Sequence, residues 1–316
     1  MPVFHPCCRL FMLCLLAINL CSACHAQGSA IDSDSLCFVS ANWQEERQEN
    51  IRFLQHQFLS DSLFGHPQYI FWMEIPPTEI YRLHYAYDPQ LSPTSVQAQR
   101  HQALAAVNGS FFDIDQGFPI CYLRIDSVEV GENTPGKTDS INRKYYQYAT
   151  LSLADSALNF IIPDSNRCHE ASLPGRNLMT AGPMLIYHDS VIPQRDDRTF
   201  VTHRHNRTAV GLRADGSAII LVADGRFRNQ AAGLSLNELC NLMRWLGCRD
   251  AINLDGGGSS TFYVHPQDNE PQSAVRNYPS DNRRFDHEGE RDVSSILYIE
   301  ALRTEHEVPI EQKQSE

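Results

Sequence analysis

The chain has 316 residues, 42% of them hydrophobic, with 38 acidic against 26 basic residues and a net charge of −12. That length and apolar fraction suffice for one large or two modest domains with a full core. A negative field of this size, without a basic run, argues against nucleic acid and anionic membrane as partners, so an anionic ligand must be gripped by local arginines or backbone amides.

Residues 1–26 read as a secretory signal peptide: Arg9, then the apolar "LFMLCLLAINL", then the small-residue stretch "CSACHA". The run is short for a transmembrane span, and no later stretch is long and apolar enough for one. Cys24 follows small residues and is a candidate lipid acceptor, so the expected location is periplasmic or extracellular, either released or membrane-anchored. Half of the 10 cysteines lie in this leader; Cys37, Cys121, Cys168, Cys240 and Cys248 have no CxxC spacing, which fits buried thiols or one bridge and gives zinc no support.

Residues 27–68 form an N-terminal extension expected to pack on the domain. Within it Trp43, Arg47, Ile51, Leu54 and Phe58 follow a rough helical spacing and predict a helix. "YIFWMEI" and "IYRLHYAY" are two strands separated by Pro76 and Pro77, and "VQAQRHQALAAV" is a helix running into a short strand that ends at "NGSFFD". Short strands follow at "CYLRI", "VEV", "YQYATLSL", "LNFII" and "MTAGPMLIY", and a hairpin turns at Asp215-Gly216. Ser235 and Glu238 make a capping box for a helix whose apolar face is Leu236, Leu239, Cys240, Met243 and Leu246, ended by Gly247. Strands at "AINL", "TFYV" and "SSILYIEAL" complete a domain over 69–303, with a charged tail at 304–316. Many strands and few helices predict a single α+β domain of mixed and antiparallel sheets. The strand "IILVA", the capped helix and "AINL" form one crossover unit.

Chemistry concentrates where apolar runs end. "AINLDGGGSSTFYV" delivers Asp255 to a strand end, and Gly256, Gly257 and Gly258 can present amides to an anion, with Ser259 and Ser260 as further donors. The plain alternative is a glycine-rich turn beside a solvated aspartate. "ILVADGR" ends on Asp224 with Arg226 close behind, and "AAVNGSFFD" ends on Asn108 and Gly109 near Ser110 and Asp113. Arg207 precedes a strand and can fork onto a phosphate, or simply pair with one of the many acids. His203 and His205 have a metal-ligand spacing but no third ligand nearby, which favours solvated loop histidines.

In order, "NGSFFD", "AGPMLI", "RTAVGL", "IILVADGR", "GLSLNELCNLMRWLGCRDAINLDGGGSST", "NYPSD" and "GERDVSSILYI" resemble the phosphodiester glycosidase family, from about Ala105 to about Leu302. The resemblance implies an α+β domain with a surface cavity and hydrolysis of a sugar-1-phosphodiester, with N-acetylglucosamine as the family's sugar. Asn108, Gly109 and Asp113 match one family motif, although Ser110 replaces a glycine. Arg207 and Thr208 match a second, with Asn206 in place of proline, and Asp224, Gly225 and Arg226 a third. Asn253 through Ser260 match without departure, and Glu290 and Arg291 match a late motif in which Asp292 replaces proline.

In that chemistry the leaving group is a phosphate monoester with a second pKa of about 6, so protonation by a strong acid matters less than in ordinary glycosidases. Asp255 or Asp224 is then the base or nucleophile, and Arg207 with the Gly256–Ser259 amides offsets the phosphate charge. Asn108, Asn253 and Ser110 are candidate hydrogen-bond partners of sugar or phosphate. No cofactor is required; calcium is conceivable at clustered acids, though no specific motif supports it. A phosphodiesterase cutting P–O in an envelope or capsule polymer, or a non-catalytic sugar-phosphate-binding module, are the competing readings.

Overall fold

A computed structural model describes residues 32–77, 81–133, 149–154, 157–162, 170–194, 198–267 and 273–301. The leader with Cys24, the charged tail and Cys168 lie outside the described residues.

The largest sheet has eight strands: β1 (Gln44–Gln48), β2 (Ile51–Leu63), β3 (His66–Ile75), β14 (Ala218–Ala223), β13 (Arg207–Arg213), β15 (Cys248–Asn253), β11 (Met184–Tyr187) and β12 (Ser190–Val191), in that spatial order and antiparallel at every pairing. A four-stranded sheet orders β16 (Phe262–Val264), β5 (Ala105–Asn108), β17 (Asp292–Ala301) and β4 (Tyr81–Pro93). A five-stranded sheet orders β7 (Val128–Gly131), β6 (Leu123–Ile125), β10 (Asn177–Ala181), β8 (Ala149–Ala154) and β9 (Ala157–Ile161). Four helices accompany them among the described residues: α1 (Ser33–Val39), α2 (Thr94–Arg100), α3 (Thr199–Thr202) and α4 (Leu236–Trp245). The expected single α+β domain of antiparallel sheets is the observed fold.

The three sheets enclose one core, where Phe71, Ile220, Ile252, Val107, Leu297, Leu151 and Met179 meet. The opposite face of the eight-stranded sheet packs Ile219, Leu221 and Ala251 against Phe38 of α1 and Leu239 and Met243 of α4. Residues 218–223 are therefore apolar without interruption, because both faces of β14 are covered.

The helix predicted through Trp43 and Phe58 is absent; β1 and β2 stand there instead. The reason is again two-sided burial. Ile51 and Phe53 face the inter-sheet core, while Leu54 and Phe58 face the helix layer, so both faces carry apolar residues and the spacing imitates a helical stripe. The hairpin at Asp215-Gly216 joins β13 to β14, and Ser235 and Glu238 close a reciprocal capping box on α4. The crossover from β14 through α4 to β15 also stands. β13 lies between its two strands and runs antiparallel to both.

Candidate functional site

Antiparallel pairing gathers the motifs. Because β13 runs against both neighbours, its first residues lie beside the ends of β14 and β15: Arg207 pairs with Ala223, and Ala209 with Asn253. "RTAV", "ADGR" and "NLDGGG" thereby meet at one edge of the large sheet.

Asn108, at the end of β5, fastens the four-stranded sheet to that edge. Its amide donates to the Asp255 carbonyl at 2.7 Å. Its Oδ1 accepts from the Thr208 hydroxyl at 2.8 Å and the Thr261 N–H at 3.3 Å. The Ser260 hydroxyl lies 3.2 Å from that of Thr208. The Gly109 N–H donates to the Ser295 carbonyl, and its own carbonyl accepts from the Asp255 N–H. The five-stranded sheet joins through Ser110, whose hydroxyl donates to the Thr180 carbonyl at 2.5 Å. Asn253 donates to the carbonyls of Gly182, at 2.9 Å, and Leu254. All three sheets thus meet around the backbone of Asp255.

The Asp255 side chain projects from this junction and is half-buried. Burial pushes its carboxyl up to about 6, while the Ser259 hydroxyl, the Gly256 N–H at 2.8 Å, and the cations of Arg291 and Arg226 oppose the shift. Two glycines allow those arginines to approach. Gly257 has φ +63°, and a Cβ there would lie 2.7 Å from Arg226 Nη2. A Cβ on Gly258 would collide with Arg291 and Asp281. Arg226 itself adopts φ +67°, an uncommon conformation for a side-chain-bearing residue. Arg291 is paired with Asp281 at 2.5 Å, whereas Arg226 has no ion-pair partner among the described residues. Partial burial and then the neighbouring Arg291 cation lower the Arg226 pKa. Two guanidinium groups that repel each other beside a glycine bend make a place that an anion stabilises.

Several sequence expectations need correction here. Arg207 begins at the right place, since its Cα lies 3.8 Å from a Cβ built on Gly256. Its guanidinium turns away, though, and the residue is only 1% exposed. It donates to the carbonyls of Leu234, Phe200 and His203 and stacks over the Phe200 ring. It braces the chain ahead of β13, and Arg226 and Arg291 stand where it was expected.

The glycine amides do not form an open nest either. Gly256 donates to Asp255, Gly257 to the Asn206 carbonyl, and Ser259 and Ser260 close a 3-10 turn onto Gly256 and Gly257. Asp224 is fully buried behind the site, 0% exposed. Its two oxygens accept from Asn277 Nδ2 and the Tyr278 N–H, both at 2.9 Å. A carboxylate with no exposed surface touches no substrate, so Asp224 orders the 277–278 segment. Asp113 caps its own turn through the N–H groups of Asp115 and Gln116. Glu290 holds the start of α2 by accepting from the N–H and hydroxyl of Ser95. Asn108, Thr208, Ser110, Asn253 and Ser260 are buried and spend their side-chain bonds on one another or on neighbouring carbonyls, which makes them the scaffold of the site.

Asp281 and Asn277 were not singled out from the sequence. Asp281 fixes Arg291, and Asn277 joins Asp224 to the Ser260 carbonyl and to the Phe262 N–H. Both lie in "NYPSD", where an acid two residues after proline was the available signal. His203 and His205 lie near each other, but no group of three or more His, Cys, Asp or Glu side chains suited to a metal occurs among the described residues.

Fold and site together define an α+β domain built of antiparallel sheets, with a carboxylate and two arginines gathered beside a glycine bend at one sheet edge. The sequence pattern of the phosphodiester glycosidase family matches residues 101–300. The chain belongs to that family. Among known relatives, mouse N-acetylglucosamine-1-phosphodiester alpha-N-acetylglucosaminidase is 39% identical over 83 residues, 26% of this chain and 14% of that protein's length. The solved catalytic domain of the zebrafish enzyme of that name, auto-inhibited by its pro-peptide, superposes with a TM-score of 0.60 at 19% identity, covering 83% of this chain and 89% of the other. A hypothetical protein from Synechocystis shares the fold with a TM-score of 0.53 at 14% identity, covering 83% of this chain and 64% of the other.

Proposed function

We propose that this chain hydrolyses a sugar-1-phosphodiester at the anomeric C–O bond, with Asp255 as the catalytic carboxylate and Arg226 and Arg291 holding the phosphate. The observation that carries this reading is the half-buried Asp255 carboxyl, raised to about 6, in the field of both arginines beside the Gly257–Gly258 bend. At neutral pH that group is largely ionised, so it stabilises positive charge developing on the sugar ring and accepts a proton from attacking water. Water oxygen bonds to the anomeric carbon, the carbon–oxygen bond breaks, and its electron pair leaves on the phosphate monoester. The arginines neutralise that departing charge, which is electrostatic stabilisation at the place where charge develops. The leaving group is stable as an anion, so a second carboxylic acid is not needed to protonate it. The name of the mammalian relatives, N-acetylglucosamine-1-phosphodiester alpha-N-acetylglucosaminidase, supports N-acetylglucosamine as the sugar.

The decisive experiment uses ¹⁸O water and a panel of sugar-1-phosphodiesters. Label in the released sugar supports this reaction, and label in the phosphate would assign P–O cleavage instead. Asp255→Asn is expected to lower turnover about a hundredfold or more with the fold retained, by analogy with lost general-base catalysis. Unchanged turnover would remove Asp255 from the reaction, and binding without product would leave a sugar-phosphate-binding module. A chelator arm tests whether calcium contributes.

Export is part of the same reading. It is supported by the leader-like residues 1–26, while no helix among the described residues is long and apolar enough to cross a membrane. The mass of the mature protein, intact from Gln27 or acylated at Cys24, separates release from anchoring.

A further inference from the structure

Beside the site, and sharing Arg226 with it, opens a groove of about 460 Å³ lined by His66, Thr202, His203, Arg204, Arg226, Arg228 and Ala232. Its lining holds three arginines, two histidines and no acid, in a protein whose net charge is −12. Arginine elsewhere is mostly matched: Arg52, Arg100, Arg124, Arg213, Arg249 and Arg291 each pair with a carboxylate. Arg228 is exposed and has no ion-pair partner among the described residues. Arg204 is committed to Glu238 at 2.5 Å and to the Phe64 carbonyl, so it is a fixed wall.

The placement of Arg228 is also built. Phe227 and Ala231 exchange backbone hydrogen bonds in both directions, and the Ala232 N–H donates to the Pro67 carbonyl at the start of β3. That short loop is tied to the large sheet and sets Arg228 on the same groove wall that Arg226 lines. Two guanidinium groups without ion-pair partners among the described residues, lining one groove that shares Arg226 with the site, match a second anion on the same ligand.

We propose that this groove is a second phosphate site, which receives a further phosphate group on the leaving side of the substrate. The preferred substrate is then a sugar-1-phosphodiester whose aglycone itself carries a phosphate, whether a phosphorylated sugar or the next unit of a phosphodiester polymer. This rests on the reaction proposed above, but the groove can be tested separately from it.

Two measurements do so. First, turnover is compared for two sugar-1-phosphodiesters that differ only in a terminal phosphate on the aglycone. The wild type is expected to favour the phosphorylated aglycone about tenfold in kcat/KM. Arg228→Ala should abolish that preference while the neutral-aglycone substrate stays within about twofold, the scale of an exposed charge. Second, calorimetry measures binding of a hexose bisphosphate and a hexose monophosphate to the wild type and to Arg228→Ala, with thermal melting to confirm the fold. The bisphosphate should bind more tightly in an Arg228-dependent and salt-sensitive way. Equal affinity for both ligands, or an Arg228→Ala loss equal for both, overturns the second site. Arg228-dependent bisphosphate binding without turnover of either diester would keep the groove and sink the proposed reaction. Turnover without discrimination between the aglycones would do the reverse.

Discussion

At Asp255 opposing influences act on the carboxyl. Burial raises the carboxyl to about 6, and the Ser259 hydroxyl, the Gly256 N–H and then the Arg291 and Arg226 cations keep it from rising further. If the ionised form is the active one, kcat/KM should fall as pH drops through about 6. Removing a nearby cation favours the protonated form, so Arg226→Ala should move that acid limb to higher pH. It should also harm a sugar-1-phosphodiester more than a neutral aryl glycoside. A pH–rate profile unmoved by Arg226→Ala would show that the two groups do not feel each other. Asp224 gives a contrasting case on stability. Burial pushes it to about 8, partly offset by its Asn277 and Tyr278 donors. Between about pH 4 and pH 8 the unfolded chain releases this proton while the folded chain keeps it, so stability falls as pH rises. Asp224→Asn removes that dependence, and chemical denaturation across this range should give a flatter stability curve for the variant. Parallel curves would mean that Asp224 is ionised in the folded protein.

Elements decide which residues can meet, and here local rules act at two levels. The capping box on α4 is legible in the sequence because Ser235 and Glu238 carry their own geometry, a reciprocal pair three residues apart. Ser235→Ala should cost about 1 kcal/mol in denaturant unfolding and leave kcat unchanged. Gly257 reads differently. Its φ of +63° and its approach to Arg226 mean that Gly257→Ala strains the backbone and displaces the guanidinium. The expected result is a stability loss of about 1 kcal/mol with a disproportionate drop in turnover of anionic substrates. A loss of stability alone would show that Arg226 adapts. Strand ends at Asn108, Asp224 and Asn253 were also readable, since each apolar run stops at a polar, glycine-bearing turn. What the chain order hides is side-chain direction. Arg207 sits at the right strand position, but its guanidinium follows the carbonyls of Leu234, Phe200 and His203, all brought near by tertiary packing. β2 was hidden for a related reason: a strand buried on both faces loses the alternation that identifies it.

At the scale of the whole molecule, the site is a junction between sheets. Asn108 belongs to the four-stranded sheet, Thr208 to the eight-stranded one, and Ser110 reaches the five-stranded one through Thr180. The placement of Asp255 therefore depends on how the sheets dock as much as on its own loop. Asn108 is the sharpest test, because one side chain serves the Asp255 carbonyl, the Thr208 hydroxyl and the Thr261 N–H in a buried setting. Asn108→Ala leaves all three without that partner, and each uncompensated buried polar group costs about 1–3 kcal/mol. Asn108→Asp keeps two acceptors but loses the donor to the Asp255 carbonyl and sets a second carboxylate beside Asp255. Both variants should melt at lower temperature. At a temperature where both remain folded, Asn108→Asp should shift the acid limb of kcat/KM upward, because a nearby negative charge favours the protonated form of Asp255. Asn108→Ala should lower turnover without that shift. If both variants lost stability but kept wild-type turnover and pH profile, the docking of the sheets would not govern the role proposed for Asp255.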